Sequence, residues 1–205
     1  MALGYYITPE LLAGLAVTSF SDFDENANLV FAEYNNGQMV AGLALTDTDG
    51  ERNTTIYGEY KVSDDLSFGV VVDKFKDNDA VTFVQVDYGV GDIEVGGSYL
   101  TFGGDEGFVA IDASYGFGNG LRATSAYSTV VGVDFDINQI DIGASYEFAP
   151  GAMIEASVGH LSGDGVPDDI RTISIGLTFE RGNRAIVAER LRDDTRRAQV
   201  NMLFF

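Results

Sequence analysis

The sequence predicts an all-β fold: a closed antiparallel transmembrane β-barrel of about 14 strands, within a range of 12 to 16, built by a single domain over residues 1–205. Three observations predict it. Apolar and polar residues alternate at period two along most of the chain, which gives strands with one greasy and one wet face. The connections are of two kinds that follow each other in strict alternation. An aromatic residue closes the apolar phase of successive hairpins, always beside the same kind of connection.

The strands come as repeats of one hairpin. A shortened copy, ALGYYI-TPE-LLAGLAVTSF, opens the chain. It is followed by NLVFAEY-NNG-QMVAGLAL, NTTIYGEYKV-SDD-LSFGVVVDKF, AVTFVQVDYGV-GD-IEVGGSYLTF and GFVAIDASYGF-GNG-LRATSAYSTV. Then come QIDIGASYEF-APG-AMIEASVGHL, RTISIGLTFE-RGN-RAIVAERLRD and a last strand, RRAQVNMLFF. Alternating runs joined at Asn36-Gly37, Asn119-Gly120 and Pro150-Gly151 are the signature of tight hairpins. Full strands from Leu11 to Phe205 number about 14, each about 8 to 12 residues. That length suits tilted strands crossing a hydrocarbon layer of about 25 to 30 Å. The first piece, Leu3 to Ile7, runs in the direction of the last strand and could extend it to help close the cylinder.

The two kinds of connection define two ends. One end has TPE, NNG, SDD, GD, GNG, APG and RGN; the other has the more acidic SDFDENAN, TDTDGER, KDND, GGDE, DFD, SGDGVPDD and RDDT. The second set holds 17 of the 32 acidic residues. Tyr34, Tyr60, Tyr88, Tyr115, Tyr146, Phe148, Phe179 and Phe204 are the candidate aromatic girdle, seven of them beside the short turns on the apolar phase and Phe204 in the last strand. Amphipathic rings collect where a membrane meets water, because the hydroxyl reaches the headgroups while the ring stays in hydrocarbon. A soluble sandwich could turn the same acids outward at no cost, so alternation alone leaves that choice open. The girdle, the two kinds of connection and the terminal Phe205 favour the membrane.

With the apolar phase given to lipid, the polar phase lines a lumen too wide to be filled by side chains. The acidic candidates for its wall are Glu33, Glu59, Asp87, Glu94, Asp112, Asp141, Glu147 and Glu155. The basic candidates are Arg122, Arg171, Arg184, Arg190, Arg192 and Arg197. Residues 1–170 carry 28 acids against 5 bases, and residues 171–205 carry 4 against 7. Opposed walls of this kind set up a transverse field that sorts solutes by sign. The net charge of −20 predicts a preference for cations and excludes nucleic acid, whose phosphates require clustered positive charge. Acidic loops could also hold divalent cations that bridge to lipopolysaccharide phosphates.

Other chemistries find little support. The chain has no cysteine, which excludes disulfides and thiolate metal sites. No cofactor motif or metal cluster is visible; Asp47-Thr48-Asp49-Gly50-Glu51 hints at a calcium loop but lacks the later ligands. No apolar run is long enough for a transmembrane helix. The start, MALGYYITPELLAGLAV, lacks the basic region and cleavage pattern of a signal peptide, so an exported protein would be represented here by its mature or recombinant form. The sole histidine, His160, lies two residues before Ser162 on the same strand phase. The spacing is similar to that of lipid A deacylases, with Asp164 able to orient the imidazole; an outer-membrane lipid hydrolase of that kind and a non-conducting structural barrel are the alternatives.

The stretch GASYEF-APGAMIEASVGHL, followed by ISIGLTFE, resembles the closing hairpins of bacterial general porins, and Phe205 resembles the terminal aromatic that marks outer-membrane proteins for barrel assembly. The likeness in hairpin style runs along most of the chain. It implies a bacterial outer-membrane β-barrel, without enzymatic activity or cofactor, for passive diffusion of ions and small hydrophilic solutes. Outer-membrane lipids are the partners it implies, and it leaves a homo-oligomer possible. General porins also fold one long loop inward, and no connection here is long enough for that. In the last strand Ala198, Val200, Met202 and Phe204 share a phase that leaves Phe205 out.

Overall fold

The computed structural model describes residues 2–20, 25–48, 50–76, 79–150, 152–164, 166 and 170–179. Strands are the only regular elements among them: β1 (Ala2–Tyr6), β2 (Leu11–Phe20), β3 (Glu25–Asn35), β4 (Met39–Thr48), β5 (Glu51–Lys61), β6 (Leu66–Phe75) and β7 (Val81–Val90). They continue as β8 (Ile93–Thr101), β9 (Gly107–Gly116), β10 (Leu121–Val131), β11 (Asn138–Ala149), β12 (Ala152–Ser162) and β13 (Ile170–Phe179). All thirteen form one sheet in chain order, each strand antiparallel to the next. The two strands expected beyond residue 179, with Phe204 and Phe205, lie outside the described residues, as does any closure they would make.

Turn chemistry fixes the register. The β9–β10 turn needs three successive left-handed residues, Gly118 (φ 78°), Asn119 (φ 54°) and Gly120 (φ 79°), conformations that glycine and asparagine adopt at little cost. Because side chains alternate with period two, a one-residue slip in any hairpin would exchange its faces. The two ends differ less in length than the sequence suggests. The sequence places Asp47, Thr48, Glu51 and Arg52 in a loop, but β4 runs to Thr48 and β5 starts at Glu51. Between the described strands the longest gap is the seven residues 163–169.

The two faces of the sheet invert the pattern of a water-soluble protein. One face buries polar groups, among them Glu33 (6% exposed), Thr55 (0%) and Gln139 (4%). The opposite face exposes aliphatic side chains such as Ile142 (62%) and Ile175 (78%). Side chains crowd and bury one another on the concave side of a curved sheet, so the face with buried polar groups is the inner one. Among the strand side chains described, the charged ones on the outer face are Asp47, Arg52, Lys74 and Arg171, each next to last at the acidic-loop end of its strand. Between them and the short turns the outer face is free of charge, as hydrocarbon requires.

Candidate permeation path

The inner face is best followed along rows of cross-strand partners. One row reads Ser67, Asp87, Gly96, Asp112, Ala126, Asp141, Gly159 and Thr172, from β6 to β13. Its neighbour reads Val40, Glu59, Gly69, Gln85, Ser98, Ala110, Ser128, Gln139 and Leu161. Small residues separate the acids, so each carboxylate gains room and its like-charged neighbours stay apart. Glu33, Glu94, Glu147 and Glu155 share this face by register. All eight acidic wall candidates therefore stand on the inner face.

Individual carboxylates are held by specific donors. The Gln85 amide donates from Nε2 to both oxygens of Asp87, at 2.8 and 2.8 Å. Gln139 repeats the arrangement two residues before Asp141, with Nε2 2.7 Å from Oδ2. The Tyr57 hydroxyl donates to Glu33 Oε2 at 2.9 Å across an intervening strand. It can do so because Gly42 lies beneath the ring; a Cβ there would collide with the phenol. A cleft of about 350 Å³ opens beside Lys61, Ser67, Asp87, Glu94, Gly96 and Asp112.

The basic candidates divide. Arg122 stands on the inner face, where it clamps Glu94 with both terminal nitrogens, the second at 2.7 Å, and donates to Ser114 Oγ at 3.1 Å. Arg171 stands on the outer face: its cross-strand partner is His160, whose partner on β11 is the lipid-phase Ile140. The sequence reading went by charge, whereas phase decides, since Arg171 alternates with Ile173, Ile175 and Leu177. Arg184, Arg190, Arg192 and Arg197 lie outside the described residues. His160 and Ser162 share the outer face near the acidic-loop end.

Tyr34, Tyr60, Tyr88, Tyr115, Tyr146 and Phe148 are exposed on the outer face near the short-turn end of alternate strands. The side chain of Phe179, and Phe204 altogether, lie outside the described residues.

Sequence reasoning missed an apolar patch on the inner face. Leu12, Phe31, Ala44, Tyr57, Val71, Phe83 and Leu100 are buried together there, flanked by Leu29, Val40, Val81 and Phe108. The signal was present: Tyr57 is in phase with Glu59, and Phe83 with Asp87.

Two comparisons with known proteins agree in kind. Residues 11–166 match the model of a family described as Gram-negative porin. A mutant of Rhodopseudomonas blastica porin superposes with a TM-score of 0.66 at 15% identity, over 87% of this chain and 75% of that one. Pseudomonas aeruginosa OccK3 (OpdO) does so with a TM-score of 0.65 at 13% identity, over 87% and 67%. No curated relative matches.

Proposed function

This chain belongs to the Gram-negative porin family, and from that premise we propose that its lumen is a diffusion path with a preference for cations. Membership makes it an outer-membrane β-barrel channel for small solutes rather than an enzyme, meeting membrane lipids on its outer face. The hydrolase alternative on His160 and Ser162 has no support from either fold or family.

The observation that carries the cation preference is the charge imbalance of the inner face. Ten carboxylates stand on it among the described residues, the eight candidates with Glu51 and Asp73, against Lys61 and Arg122, and Arg122 is bound to Glu94. A like-signed wall around a water-filled pore raises the local concentration of the opposite ion and repels its own sign. The transverse field expected from the late arginines rests on residues beyond the described ones. The reading is tested by the reversal potential of the reconstituted protein under a potassium chloride gradient. A potential displaced toward the potassium equilibrium value supports it; one at zero or toward chloride rejects it.

A further inference from the structure

The three aspartates of one row are spaced by two strands each, about 10 Å apart, since neighbouring strands lie about 4.8 Å from one another. Asp87 is three residues from the short-turn end of β7, Asp112 is near the middle of β9, and Asp141 is three residues from the acidic-loop end of β11. The row therefore climbs the wall from one rim toward the other. Its lower two members border the same open cleft.

Its upper end has a feature that calls for a ligand. Gln139 is 4% exposed and gives its amide hydrogen to Asp141 Oδ2, while its own carbonyl oxygen Oε1 is buried with no partner. Beside it, Asp141 Oδ1 and Thr172 Oγ1 both overhang Gly159, in space that a Cβ at residue 159 would occupy. One charged and one neutral oxygen thus gather over a glycine, beside a glutamine whose own carbonyl oxygen is buried without a partner. Such an acceptor set is completed by a bare cation or by the hydrogens of an ammonium group.

We propose that Asp87, Asp112 and Asp141 form a three-step cation track along the lumen wall, ending in an oxygen-lined nook over Gly159 that takes monovalent cations and primary ammonium groups in transit. The proposal rests on the channel reading above and specifies the solute class. A calcium-like ion is a poor fit, because it seeks six to eight oxygens, several of them carboxylates, and the described residues contain no group of three acids close enough for a metal. A single carboxylate with neutral oxygens binds weakly enough to release what it takes, as conduction demands.

The full chain reconstituted in planar bilayers tests this, with potassium chloride and methylammonium chloride as the probes. Asp112→Asn and Asp141→Asn are each expected to lower the cation-to-anion permeability ratio about twofold, and Glu10→Gln, in the short turn between β1 and β2 and away from the row, to leave it unchanged. Gly159→Ala fills the nook without altering charge and is expected to raise the methylammonium concentration at which conductance saturates. Thr172→Val, of equal volume, carries the same expectation should Gly159→Ala fail to insert. A conducting wild type whose ratio ignores both aspartate variants overturns the track alone. A wild type that never conducts overturns the channel reading beneath it.

Discussion

Gly42 shows how a single residue shapes the inner wall. Its missing side chain leaves the space in which the Tyr57 ring lies to reach Glu33. Gly42→Val should lower the unfolding free energy by about 1–3 kcal/mol, the usual range for overpacking, measured by urea titration from lipid vesicles. A null effect would mean that Tyr57 is free to move aside. Arg122 makes a second local claim. As the partner of Glu94 it cancels charge on an otherwise acidic wall, so Arg122→Gln should increase cation preference and Glu94→Gln should reduce it. Equal shifts of the same sign would refute the pairing. Neither arrangement could be read from the sequence, because each skips a strand: Tyr57 and Glu33 meet over β4, Arg122 and Glu94 over β9.

Among the elements, β11 carries the clearest division of faces. Ile140, Ile142 and Ala144 occupy the outer phase, with Tyr146 and Phe148 at the short-turn end, while Gln139, Asp141 and Ser145 face inward. Its stretch NQIDIGASYEF states this alternation outright, which is why the strand could be placed from the sequence. Ile142→Arg puts a charge on the lipid phase and should cost about 2–4 kcal/mol if the residue lies near the midplane. Gly143→Ser, one residue along on the inner phase, meets backbone and Ser157 rather than lipid, and a charge-free change there gives a packing control. Folding yields of Ile142→Arg equal to wild type would contradict the assignment of faces. Boundaries were less legible than phases. The acidic stretch around Asp47 to Arg52 reads as a loop by composition, yet Gly50, at φ 88°, turns the chain in so short a space that both strands continue through it. Arg171 reads as a lumen residue by charge, but its alternation with Ile173, Ile175 and Leu177 puts it on the outer face.

At the scale of the whole molecule, the sequence made the antiparallel order and the inverted faces legible because both follow from period-two alternation and turn residues. It hid the apolar inner patch, since a few bulky residues on the wet phase look like noise until register lines them up from β2 to β8. With no long loop folded inward among the described residues, that patch braces the concave wall. Phe83→Ala should therefore destabilise the protein by about 3 kcal/mol, read from the same urea titration. An unchanged midpoint would deny the patch a structural role. The account as a whole depends on the wall enclosing a continuous aqueous path. The most direct test is to add the detergent-purified protein to one side of a planar bilayer held at fixed voltage in potassium chloride. Discrete, uniform conductance steps are predicted. A protein that inserts and stays silent, or one that remains monodisperse in water without detergent, would contradict the account.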